Sequence, residues 1–75
     1  MTNLKKFLDT QIGEHGYIRI AKRDNVLLCE GKVKELRENQ LWQLIGEEDA
    51  KIYRSFSGDS PDTGKRCITI QLYKW

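Results

Sequence analysis

The stretch from Cys67 to Trp75, CITIQLYKW, alternates Ile68, Ile70 and Leu72 with Thr69, Gln71 and Tyr73. That period of two belongs to a strand with one buried and one outward side. A chain holding such a strand must build a sheet and cover one side of it with other elements. The outward side here ends in Tyr73 and Trp75, so the face turned from the core carries aromatic groups.

The covering elements are read from the rest of the chain. Thr2 or Asn3 can cap a helix in which Leu4, Phe7, Leu8 and Ile12 form one apolar stripe, with Gly13 and Gly16 at its exit. Tyr17 to Lys22 alternates, Arg23-Asp24-Asn25 makes a turn, and Val26 to Glu30 returns, which is a hairpin. Val26 to Cys29 is apolar on both sides and belongs to a central or covered strand. Lys32 to Ile45 reads either as one helix or as two elements. The preferred reading breaks near Asn39, before a short helix carrying Leu41, Leu44 and Ile45, with Trp42 packing from its side. A strand over Leu41 to Ile45 is the alternative.

Gly46-Glu47-Glu48-Asp49 is expected as a solvated acidic loop. Ala50 to Ser57 reads as a strand with Ile52 and Phe56 opposed to Lys51, Tyr53 and Ser55. Arg54 shares parity with the two apolar residues, so it needs a strand end or a carboxylate partner. Gly58 to Gly64, rich in turn formers, is expected as a mobile connection to the last strand. The sum is an α+β domain spanning residues 1–75: an antiparallel sheet of about four strands with two or three short helices on one face.

Composition narrows the function. The 75 residues suffice for one domain, and 39% hydrophobic with 32% charged residues is ordinary for a globular chain. Thirteen basic against eleven acidic residues give a net charge of +2, too balanced to imply nucleic-acid binding on charge alone. No apolar run approaches the ~18 residues needed to cross a bilayer, and the N-terminus does not read as a signal peptide. The expected location is the cytoplasm.

Cys29 and Cys67 are read as reduced, buried thiols, and with His15 alone they lack any metal-ligand spacing, so neither a metal nor a cofactor is expected. Gly58 with Gly64-Lys65 imitates a phosphate loop, but the spacing is wrong, Arg66 replaces the hydroxyl residue, and a strand follows. Asp62-Thr63-Gly64 matches an aspartic-protease triplet but lacks a second aspartate to share its proton. With no nucleophile–base pair in view, the expected activity is not enzymatic and no catalytic residue is assigned.

Placing Ile18, Ile20, Ile52, Ile68, Ile70 and Leu72 toward the helices displays Tyr17, Arg19, Lys51 and Tyr53 on the opposite face, together with Thr69, Gln71, Tyr73 and Trp75. Three readings fit such a face. Cross-strand tyrosine pairs can shield an open sheet. A protein partner, whether a host protein or a second copy forming a homodimer, can dock there. Single-stranded nucleic acid can stack on the tyrosines while Arg19 and Lys51 meet phosphates. The candidate partner-binding residues are Tyr17, Arg19, Lys51, Tyr53, Tyr73 and Trp75.

Phe7-Leu8, Tyr17-Ile18-Arg19-Ile20, the return Leu28-Cys29-Glu30-Gly31-Lys32-Val33, and Cys67 to Leu72 together resemble small proteins of phages and prophages in Gram-positive bacteria. The likeness is mainly a spacing of hydrophobic residues over most of the chain, and it transfers no site residue. It implies a mobile-element accessory protein; some such proteins, anti-CRISPRs among them, inhibit a bacterial defence system by occupying a surface on a host nuclease.

Overall fold

Asn3 starts the first helix. Its side-chain oxygen accepts a hydrogen bond from the Lys6 N–H at 2.8 Å, satisfying one of the donors that a helix start leaves without a partner. The computed structural model describes residues 2–75. Helix α1, Leu4–Phe7, runs on into a π-helical turn, Leu8–Ile12, and Gly13 ends it at φ 85°, a conformation that suits glycine. Strands β1 (Tyr17–Ala21) and β2 (Leu27–Lys32) follow, then helices α2 (Val33–Leu36) and α3 (Gln40–Ile45), then β3 (Ile52–Asp59) and β4 (Arg66–Leu72). The two-element reading of residues 32–45 is the one that forms, because the Asn39 side chain accepts from Leu41 N–H at 2.8 Å and starts a new helix.

The fold is α+β, with a four-stranded sheet and short helices on one face. The sheet is mixed, where a wholly antiparallel one was expected. β1 pairs antiparallel with β2, and β3 with β4, but the two hairpins meet through a parallel pairing of β1 with β4 that aligns Ile18 with Ile68 and Ile20 with Ile70. The strand order β2-β1-β4-β3 puts the most apolar strands at the centre, where both neighbours shield them. The helical segment between β2 and β3 carries the chain past the covered face, so β4 returns alongside β1 in the same direction.

Leu4, Leu8, Ile18, Ile20, Val33 and Ile70 are the deepest part of the core, joined by Leu36, Trp42, Ile45 and Leu72. Leu44 was expected among them and is instead 75% exposed. A helix as short as α3 buries one narrow stripe, and Trp42 with Ile45 fills it, leaving Leu44 in solvent.

Strand β3 departs further from expectation. Ile52 lies opposite Leu72, but Arg54 lies opposite Gln71, so Tyr53 and Arg54 share one position across from Gln71. This is a β-bulge, and it reverses the side to which every later residue points. Phe56 therefore sits opposite Thr69 on the outward face, 40% exposed, while Ser55 and Ser57 lie opposite Ile70 and Ile68 toward the helices. The bulge also answers the parity problem of Arg54, which turns outward without needing a carboxylate.

The outer border of β3 is closed at one end only. Ile52 N–H donates to the Thr2 carbonyl at 3.0 Å and Leu4 N–H donates to the Ala50 carbonyl at 2.8 Å, while Tyr73 N–H reaches the Lys51 carbonyl from the β4 side at 2.8 Å. The segment at residues 2–4 thus covers Ala50 to Ile52, and among the described residues β4 is the one strand paired with β3 from Arg54 to Asp59.

Ile70, wholly buried at the β1–β4 junction, is expected to cost about 2–5 kcal/mol when cut to alanine. Leu44→Ala should stay within about 0.5 kcal/mol of wild type. Urea unfolding followed by far-UV circular dichroism measures both, and equal losses would contradict this core.

Candidate functional site: the outer face of the sheet

Arg19 stands near the middle of the outer face, yet it is only 2% exposed. Its guanidinium is surrounded from two directions. Nη1 donates to the Asn25 side-chain oxygen at 2.8 Å and Nη2 to the Asn25 carbonyl at 2.9 Å, while Nε donates to Asp62 Oδ2 at 2.9 Å. Asn25 lies in the β1–β2 turn at φ 71°, a left-handed conformation asparagine tolerates better than most residues. Asp62 comes from the β3–β4 connection. One buried charge therefore ties together the two loops.

Glu30 faces Arg19 across the β1–β2 pair and holds the connection down a second time. Its carboxylate accepts hydroxyl hydrogen bonds from Tyr17 at 2.7 Å, from Ser60 at 2.5 Å, and from Thr63. Ser60 Oγ in turn accepts from the backbone N–H groups of Asp62 and Thr63 at 3.1 and 3.3 Å. Burial alone would push the Glu30 carboxyl up. The hydroxyl donors Ser60, Thr63 and Tyr17, with the charge of Arg19, outweigh it and hold the group below its ordinary value. The Tyr17 phenol is raised, first by its bond to Glu30 and then by burial.

The connection expected to be mobile is thus folded over the sheet and anchored to β1 and β2. It closes the half of the outer face that carries Tyr17 and Arg19. Among the described residues, no buried side-chain polar atom lacks a hydrogen-bond partner.

The other half stays open. Tyr53 and Tyr73 pack with ring centroids 6.1 Å apart and planes inclined at 49°. The Arg23 guanidinium lies over both rings, 4.6 Å from one centroid and 4.8 Å from the other, within the reach of cation–π attraction. Arg23 is placed by the β1–β2 turn, and its N–H donates to the Trp75 carbonyl at 3.2 Å. Beside this cluster Arg54 covers the Phe56 ring at 5.3 Å.

The six candidate residues therefore do not form one patch. Tyr53 and Tyr73 come together, with Tyr53 44% exposed. Tyr17 and Arg19 belong to the closed polar network, while Lys51 is exposed and pairs along its backbone with Asn3. Trp75 lines a separate recess of about 200 Å³ with Ile45, Asp49, Ala50, Lys51 and Lys74. Sequence reasoning missed Arg23, hidden in a turn, and placed Phe56 on the wrong face. The parity conflict at Arg54 was the one signal of the bulge that exposes Phe56.

Charges on the helix side serve packing. Glu47 accepts from Arg37 Nε at 3.1 Å and from the Trp42 indole N–H at 2.8 Å, and Arg37 also reaches Asp9 at 3.2 Å. Glu47 is therefore not a freely solvated loop carboxylate. Burial raises the Cys29 thiol to about 11, far from a reactive thiolate. Among the described residues, no three His, Cys, Asp or Glu side chains gather in an arrangement suited to a metal ion, and no helix is long and apolar enough to cross a membrane.

No protein-family model, curated protein or solved structure matches the chain.

The lowered Glu30 value has a definite sign in stability. Stabilisation from a carboxyl that titrates lower when folded is complete above the ordinary glutamate range and is lost as pH falls through the folded value. Glu30→Gln is expected to cost about 1–3 kcal/mol near neutral pH and to match wild type in strong acid. Urea unfolding of both proteins across that pH range is the check. A gap that persists unchanged in acid would place the interaction elsewhere.

Proposed function

We propose that this chain is a non-enzymatic binding protein that recognises a protein surface through the open half of its outer sheet face. The observation that carries this reading is the Arg23–Tyr53–Tyr73 cluster, in which Arg23 and Tyr53 are exposed and Tyr73 is half-buried, a set of the residue types that dominate interface hot spots. The cluster is held in place before any partner arrives. Arg23 is bracketed by two rings and by its backbone bond to Trp75, so little side-chain freedom is lost on contact.

The same geometry argues against base stacking. A nucleic-acid platform needs free ring faces, and here Arg23 lies over Tyr53 and Tyr73 while Arg54 lies over Phe56. Arg19, the cation expected to meet phosphate, is buried and paired. The net charge of +2 supplies no broad basic field to offset these losses. Taken with the resemblance to phage and prophage accessory proteins, the reading is an anti-CRISPR-like inhibitor acting in the host cytoplasm on a defence protein.

Affinity capture from bacterial host lysate, with and without nuclease, tests this. A stoichiometric protein should be retained after nuclease treatment and at raised salt. Tyr73→Ala and Arg23→Ala should each abolish retention while leaving the circular dichroism spectrum unchanged. Binding to a mixed-sequence single-stranded oligonucleotide that weakens steeply with salt would replace this reading with the nucleic-acid one.

A further inference from the structure

We infer that the partner meets this face with an acidic segment, whose carboxylates are held by the guanidinium groups of Arg23 and Arg54. The inference rests on the reading of the open half as a protein-contact surface and names the chemistry of its occupant.

Arg19 and Arg37 are spent inside the molecule. Arg19 donates to Asn25 and Asp62, and Arg37 to Glu47 and Asp9. Arg23 and Arg54 are both exposed, and among the described residues no carboxylate lies within ion-pair reach of either. Each lies over aromatic rings instead, Arg23 over Tyr53 and Tyr73, Arg54 over Phe56. A ring face attracts the cation but does not replace an oxygen acceptor, and a guanidinium carries several N–H donors.

The carboxylates that stand closest in the fold are engaged elsewhere. Asp24, beside Arg23 in the turn, accepts from the Val26 backbone N–H at 3.3 Å. Glu30 and Asp62 belong to the network around Arg19. Asp59 shares the parity of Ser55 and Ser57, so it points to the helix side, across from Arg66. The open half is therefore left with two cations that its own side chains do not neutralise.

The layer that carries these cations is packed. Tyr53 and Arg54 share one position across from Gln71, and Phe56 stands across from Thr69. Thr69 and Gln71 point outward, yet they are only 4% and 6% exposed beneath this layer. Cations held at set positions lose little freedom when acceptors arrive. The planar guanidinium fork matches a carboxylate through two parallel hydrogen bonds.

Phosphate offers the fork a similar match, but the surroundings favour a protein. A polyphosphate backbone is held by a row of cations in a broad basic field, and a chain of net charge +2 supplies none. Tyr53 and Phe56, 44% and 40% exposed, set apolar area beside the two charges. That mixture suits carboxylates flanked by apolar side chains. Salt screens the charges and not the apolar area, so an acidic protein is retained where a polyphosphate is released.

Nuclear magnetic resonance of isotope-labelled protein, followed at the arginine Nε–H signals, tests this with defined probes. These are a peptide of repeated Glu-Leu-Ser units, its Gln-Leu-Ser counterpart, and a mixed-sequence single-stranded oligonucleotide, each raised to about 1 mM where weak contacts populate. The glutamate peptide should move the signals of Arg23 and Arg54 and leave those of Arg19 and Arg37 in place. The glutamine peptide should bind about tenfold or more weaker. Arg23→Gln and Arg54→Gln should each weaken the glutamate peptide by a similar factor, with the circular dichroism spectrum unchanged. An equal response to the glutamine peptide, movement confined to other signals, or no movement would overturn the acidic partner. An oligonucleotide that binds more tightly than the glutamate peptide would overturn it in favour of phosphate. Host-protein capture that depends on Tyr73 but survives Arg54→Gln would leave the contact surface standing and remove its acidic occupant. Absence of capture by wild type would remove the contact reading itself, and this inference with it.

Discussion

The parallel pairing of β1 with β4 is the contact on which the rest of this small fold hangs. Each hairpin closes locally, but neither can bury its apolar side alone. At the junction Ile18, Ile20, Ile68 and Ile70 align on one side and give the short helices a continuous surface to cover. On the other side Arg19 stands opposite Thr69, and this places a charge where the two central strands shield it most.

Much of the outer face follows from that buried guanidinium. A charge taken from water must be paired and hydrogen-bonded or it destabilises the fold. Arg19 solves this with donors that diverge, two toward Asn25 and one toward Asp62, an arrangement the planar guanidinium fork permits and a lysine could not reproduce. The β3–β4 connection is recruited as a result and then pinned again through Glu30. The polar half of the sheet is consumed in holding the molecule together, and what remains open is the aromatic half beside β3.

The β3 bulge decides the character of that half. Without it, Phe56 would join the core and Ser55 and Ser57 would face solvent. With it, Tyr53, Arg54 and Phe56 all reach the open side, and the helix-facing side of β3 becomes polar and thin. A border strand tolerates this because Ser55 and Ser57 stay exposed there, whereas a central strand losing an aromatic anchor would leave a cavity. The arginines laid over the rings limit how much bare aromatic surface is shown.

Local periodicity by itself determined a great deal: the stripe of Leu4 and Leu8, the β1–β2 hairpin, the break at Asn39, the alternation of β4, and from these the α+β class. Those features depend on residues a few positions apart, and spacing reports them directly. The parallel β1–β4 pairing, the bulge at Tyr53, the folding of Ser60 to Gly64 over Arg19, and the meeting of Arg23 with Tyr53 and Tyr73 were decided by tertiary structure alone. Each joins segments far apart in the chain, and no spacing along the sequence records which distant segment each one meets.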